Sequence, residues 1–136
     1  MPIVQEVVSP LQQAFIPNRS IHRTIQTTKV IASQIHHNPD SPNLILMLDL
    51  TKAFDSLDLN YLRRVLNTIN IPPDFINLLI STQNSGMARI LNGPKIIDYA
   101  FPLQRGVRQG LAISPILFNL ALEPLICKLA SSINGR

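Results

Sequence analysis

The chain has 136 residues, 46% hydrophobic and 15% charged, and its twelve Lys and Arg against eight Asp and Glu give a formal net charge of +4. This composition excludes a disordered tail and fits one ordinary domain with a core, while the single Cys127 excludes an internal disulfide and a Cys-based zinc cluster. No apolar run approaches the roughly 18 to 20 residues that span a bilayer, and no signal-peptide pattern opens the chain, so the expected location is intracellular, nuclear or cytoplasmic, neither secreted nor in a membrane.

No repeat or Gly/Ser linker divides the sequence, which reads as one unit. From Ser20 to about His37, Ile21, Ile25, Ala32 and Ile35 recur at helical spacing, with Ser20 placed to cap the first turn. "NPDSPN" at 38–43 is a turn by composition. The continuous run "LILML" at 44–48 reads as a fully buried strand that ends in Asp49. Asp58 is placed to cap a helix carrying Leu62, Val65, Leu66 and Ile69 on one side, with Arg63 and Arg64 facing away. Pro72 and Pro73 suit the start of a second helix with Phe75, Leu78 and Leu79 inward, ending near Gly86.

Two short runs within 87–101 flank Asn92-Gly93, a dipeptide that tolerates positive φ at both centres of a type I′ turn, so a β-hairpin is expected there, with Pro94 limiting the start of its second strand. After "QRGVRQG", Ser114-Pro115 reads as a capping residue followed by proline at the first helical position, and the helix should run to about Ala130, with Pro124 kinking or interrupting it. Cys127, among apolar helical neighbours, reads as a small core residue. The fold class is α+β, helices packed on a small, mainly antiparallel sheet.

A carboxylate at the end of a buried strand can place a hard oxygen ligand rigidly beside a cleft, for which magnesium is the natural guest; equally, Asp49 can simply cap the turn that follows. The chain has no Gly-Lys-Ser/Thr phosphate loop to make Asp49 part of a P-loop nucleotide hydrolase, and nothing supports a sugar site built on Asp49 and Asp55. His36 and His37 are adjacent and point apart on a helix, which fits a solvated helix end better than a zinc pair. The basic residues come in small groups, Arg19 with Arg23, Arg63 with Arg64, Arg105 with Arg108, and suit either a polyanion or solvent.

Three blocks taken together carry more. "QQAFIPNRSIHRTI" at 12–25, "LDLTKAFDSLDLNYL" at 48–62 and "RGVRQGLAISPILFNLALEPL" at 105–125 resemble, in order and spacing, the reverse transcriptases of non-LTR (LINE-type) retrotransposons, which are related to group II intron enzymes. The resemblance implies part of a right-hand polymerase fold over 1–136, with a fingers-like segment at about 1–40 and a palm segment at about 41–136. It implies an RNA-directed DNA polymerase with an RNA template, a DNA primer and deoxynucleoside triphosphates as partners.

It further implies that Asp49 binds the two catalytic Mg2+ ions, with the backbone carbonyl of Leu50 as a further ligand. Two metals about 4 Å apart suit phosphoryl transfer to a primer hydroxyl. Phe54 takes the position of the aromatic beneath the incoming sugar, where it would clash with a 2′-hydroxyl, or else is an ordinary core aromatic. Asp55 organises the following turn, and Lys52 meets phosphate or solvent.

Gln109 matches the glutamine that contacts the incoming nucleotide, and Gly110 lets backbone approach the template base pair, although turn chemistry alone could produce the same glycine pattern. Arg105 and Arg108 flank that loop and suit phosphate, and Arg19 matches a position facing template or primer, with a surface role as the alternative. Asn18 stands where glycine is common in relatives and is the side chain that best substitutes for it at positive φ. Leu111-Ala112-Ile113 departs from the usual Cys-Pro-Leu, a change to packing more than to ligand groups.

The second metal-binding block of such enzymes, aromatic-Ala-Asp-Asp, does not occur in the sequence, nor does any Asp-Asp pair. The expectation is therefore a fragment that functions with the remainder of a polymerase chain and is catalytically incomplete alone, the alternative being a non-catalytic nucleic-acid-binding module or retrotransposon relic.

Overall fold

The computed structural model describes residues 2–38, 40, 42–84 and 86–133. These fall into two compact units, 1–51 and 52–136.

In the first unit, helix α1 (Pro2–Val7) leads into turns that bury Val8, Gln12 and Ile16. Phe15 and Asn18 take positive φ, 60° and 62°; for Asn18 this is the left-handed backbone that its sequence position called for. Helix α2 (Ile21–His37) starts where expected, and the Ser20 side chain accepts from the His22 N–H, yet it buries no residue. Pro39 and Ser41 of the expected turn lie outside the described residues.

The run at 44–48 is not a buried strand. Among the described residues it has no ladder partner, and Leu44, Leu46, Met47 and Leu48 are 69 to 85% exposed. An apolar run becomes a strand only where a neighbour takes up its N–H and C=O groups, and the sheet among the described residues holds only the hairpin strands named below.

The second unit is built on three helices: α4 (Leu59–Thr68), α5 (Pro73–Asn84) and α6 (Ser114–Ser132), preceded by the single turn α3 (Ala53–Ser56). Asp58 caps α4 as its sequence position predicts, its carboxylate accepting from the Tyr61 N–H at 2.8 Å. The other end closes with Asn70 at φ 58°, the Ile71 N–H reaching the Leu66 carbonyl and the Asn70 N–H that of Asn67, the paired bonds of a Schellman ending. Leu62, Val65 and Leu66 of α4 are buried with Ile76, Leu79 and Ile80 of α5 and Leu117, Leu120 and Ala121 of α6. Tyr61 ties α4 to α6 by donating from its hydroxyl to the Ala121 carbonyl at 3.0 Å. Arg63, expected to face away, instead reaches Asn77 Oδ1 on α5 at 2.6 Å.

The buried face of α5 differs from the expected one. Phe75 and Leu78 are exposed, whereas Ile76, Leu79, Ile80 and Gln83 are buried. "FINLLI" is apolar on both flanks, so hydrophobic spacing does not fix its phase; the phase is set by Gln83, whose carboxamide finds its partner inward.

Strands β1 (Met87–Asn92) and β2 (Lys95–Pro102) form the antiparallel hairpin, with Asn92 opposite Lys95 and a register shift between Arg89 and Leu91. Its two turn residues are therefore Gly93 and Pro94, not Asn92 and Gly93, and only Gly93 has positive φ (61°). Proline's fixed negative φ excludes type I′ and suits the type II′ turn, which needs positive φ at its first centre alone.

Helix α6 begins one residue earlier than expected. Ile113 is its cap, without a side-chain bond, and Ser114 is inside the first turn with its hydroxyl buried and without a partner among the described residues. The helix runs through Pro124 without interruption. Cys127 is exposed rather than core, because α6 buries only its first half; its thiol donates to Glu123 at 3.1 Å, and that carboxylate pushes the thiol pKa up.

Candidate functional site

The expected site residues divide between the two units. In the first, Asp49 and Leu50 lie on the extended, exposed segment. Arg19 is half-buried, and its Nη1 and Nη2 donate to the carbonyls of Gln5, Val8, Ser9 and Gln12 at 2.5 to 3.2 Å. The guanidinium thus gathers carbonyls at and beyond the end of α1, where a cation meets the negative end of peptide dipoles. The side chain expected to face template or primer is committed to its own backbone.

In the second unit the "QRGVRQG" segment is a strap held from two sides. On one side the Gly106 N–H donates to the Leu57 carbonyl at 2.8 Å and the Val107 N–H to the Phe54 carbonyl at 2.9 Å. Gly106 has φ +83°, and a Cβ there would stand 2.8 Å from Asp55 Cα and from the Phe54 and Asp55 carbonyl oxygens. Only glycine combines that backbone with that approach. On the other side the Arg108 N–H donates to Gln83 Oε1 at 2.9 Å and Arg108 Nε to the Gln83 carbonyl at 3.1 Å. The guanidinium lies over Gly86, where a Cβ would collide with it, and its Nη2 is buried without a partner among the described residues. Arg108 therefore points inward, against the expectation that it would meet phosphate.

The strap forms one wall of a cleft of about 580 Å³, whose lining includes Asp55, Gln83, Arg105, Val107, Arg108 and Gln109. Arg105 and Gln109 are exposed at its rim, and Gly110, which follows Gln109, is exposed as well. Gly110 has φ +95° and open space where a Cβ would stand. Phe54 is half-buried, its ring stacked on Phe118 of α6 with centroids 4.7 Å apart and planes 17° apart. Val107, 2% exposed, anchors the strap in the core.

Sequence reasoning missed Gln83, Gly86 and Gly106. Gly106 was visible as a glycine in a motif, but the backbone it must meet was not. Gln83 follows Ile76, Leu79 and Ile80 at helical spacing, so a polar residue on an apolar stripe was the available signal.

A family profile described as reverse transcriptase (RNA-dependent DNA polymerase) matches residues 1–134. The chain is 32% identical over 127 residues, 93% of its length, to the "Retrovirus-related Pol polyprotein from type-2 retrotransposable element R2DM" of Drosophila melanogaster. It is 31% identical over 137 residues, 98% of its length, to the "Transposon TX1 uncharacterized 149 kDa protein" of Xenopus laevis. A Pol polyprotein of the R2 element of Popillia japonica is 32% identical over 88 residues. No solved structure matches. The chain belongs to the reverse transcriptase family, among those of non-LTR retrotransposons. It spans 12% and 10% of the length of the first two relatives.

Reverse transcriptases use a divalent metal. The Asp49 carboxylate and Leu50 carbonyl are oxygen donors of suitable hardness, but a magnesium-sized ion takes six ligands. Among the described residues no group of three His, Cys, Asp or Glu could hold an ion. The residues present match the donor chemistry of such a site without being sufficient to form it.

Proposed function

We propose that this chain is the portion of an RNA-directed DNA polymerase that contacts the incoming deoxynucleotide and its template pair, with Gln109 and Gly110 at that contact, and that it extends no primer by itself. The observation that carries this reading is the strap: its backbone is bonded to α3 and to Gln83, while Gln109 remains exposed at the cleft rim with Gly110 exposed directly after it. A site that must discriminate among nucleotides needs its contacting groups on a rigid support.

In this reading Phe54 is the sugar gate. Its stack on Phe118 supports the role, because a ring fixed from behind does not swing away from a 2′-hydroxyl. Arg105, exposed at the rim, is the phosphate contact; Arg19 and Arg108 hold backbone instead. The metal is magnesium, two ions, with Asp49 and the Leu50 carbonyl contributing ligands alongside carboxylates from elsewhere in the polymerase. Template RNA, DNA primer and deoxynucleoside triphosphates are the partners, and the action is inside the cell.

The test is an RNA-template, DNA-primer assay on residues 1–136 in magnesium. The expected result is weak duplex binding that falls steeply with salt, because few cations neutralise phosphate, and no primer extension. Absence of binding at low salt overturns the nucleic-acid reading. Synthesis abolished by Asp49→Ala overturns the proposal that this chain is catalytically insufficient.

A further inference from the structure

Gln83 is 1% exposed at the last inward position of α5, where the preceding buried positions are Ile76, Leu79 and Ile80. A carboxamide on an apolar stripe is costly to bury unless its groups are bonded. Here they are: Oε1 accepts from the Arg108 N–H, Nε2 donates to Thr82 Oγ1 at 3.2 Å, and the Gln83 carbonyl accepts from Arg108 Nε. Both groups that Gln83 offers to the strap are taken up by the residue immediately before Gln109.

We propose that Gln83 is a positioning residue, fixing the strap through the Arg108 backbone so that Gln109 is presented at the cleft rim in one orientation. The inference rests on the reading of Gln109 as a nucleotide contact only for its functional consequence; the clasp stands on its own geometry. With Gly106 bonded to Leu57 and Val107 to Phe54, the strap has two independent moorings, one of backbone on α3 and one of side chain on α5. The α3 mooring stops at Val107. From Arg108 onward both bonds go to Gln83, so loss of the Oε1 acceptor releases the Arg108 N–H and leaves only the bond from the flexible guanidinium to the Gln83 carbonyl, loosening the end that carries Gln109 while the glycine end stays docked.

Amide hydrogen exchange on the intact chain tests the clasp directly. In the wild type the Arg108 amide should exchange at least tenfold more slowly than the Gln109 amide, despite lying in a loop; exchange at the open-loop rate overturns the proposal without any variant. Gln83→Met keeps the volume and removes the acceptor, and it should raise Arg108 exchange at least tenfold while leaving Leu79 and Ile80 unchanged. A uniform rise across α5 assigns Gln83 to general packing and overturns positioning. Gln83→Glu keeps an acceptor oxygen beside the guanidinium and should restore protection; failure to do so counts against the proposal, and because the wild-type measurement stands alone, a variant that does not fold does not shield it.

Titration with dATP in magnesium supplies the second readout. Gln109 resonances should shift in the wild type and in Gln83→Glu, with affinity about tenfold weaker in Gln83→Met. A wild type that shows no Gln109 shift sinks the nucleotide reading, and the exchange data then decide the clasp alone.

Discussion

Gly106 is the residue on which the strap most narrowly depends. A methyl group at that position meets backbone atoms at 2.8 Å and must also adopt φ +83°, and backbone, unlike a side-chain end, has nowhere to turn. Gly106→Ala should therefore destabilise the chain by about 2 kcal/mol or more, counting both the strained dihedral and the displaced contact. Urea unfolding measures this, and a change within about 0.5 kcal/mol of wild type would refute it. Gly110, also at positive φ but with open space around it, should suffer the dihedral penalty alone.

Asp58 gives a second test at this scale. The bond from the Tyr61 N–H holds its carboxyl below the usual carboxylate range. A depressed folded-state value means that the cap contributes fully above the ordinary carboxylate pKa and loses its contribution as pH falls through the folded value. Asp58→Asn retains a capping oxygen without the titration. The melting difference between wild type and Asp58→Asn should hold constant near neutrality and shift against the wild type on acidification below about pH 4; a difference independent of pH removes Asp58 from the acid response.

Among the elements, α4 is the one legible almost whole from the sequence. Its cap, its buried Leu62, Val65 and Leu66 and its stop before Pro72 all follow from residues within the helix or a few positions beyond its ends. The contrast is α5, whose two apolar flanks left the inward face undetermined until a partner loop existed to bond Gln83. The hairpin lies between these cases: its existence was readable from the Gly-containing turn, and its register was not, because Pro94 displaced the centre of the turn by one residue.

The α4–α6 pair rests on packing together with a polar tie between Tyr61 and Ala121, residues sixty apart in sequence that no local pattern connects. Tyr61→Phe removes the tie and leaves the Ala121 carbonyl to its own helix. The expected loss is about 1 kcal/mol, measured by denaturant midpoint at unchanged m. A loss above about 3 kcal/mol would mean that the ring's packing, not its hydroxyl, had been disturbed.

At the scale of the whole molecule, the family and the α+β class were readable because motifs are local and ordered, while the burial of the 44–48 run was not, because burial depends on what else is present. That run illustrates the difference: five apolar residues in succession, four of them 69% exposed or more, with no ladder bonds to the described residues. An extended apolar stretch with free backbone groups invites pairing between copies. The chain should self-associate as concentration rises, and Met47→Lys with Leu48→Lys should reduce that association, measured by sedimentation velocity. A wild type that remains monomeric throughout would show that the stretch finds its cover within the chain.

The Arg19 cluster is, in polymer terms, a crosslink. One guanidinium fixed to carbonyls as far back as Gln5, fourteen residues away, closes a loop whose ends would otherwise wander. Proteins often do this with a disulfide, which a chain with a single cysteine cannot form. A closure made of charge-assisted hydrogen bonds answers to different agents: reductants leave it intact, while free guanidinium ions compete for the same carbonyl oxygens, so the first fifty residues have a fastening that no change of redox compartment undoes.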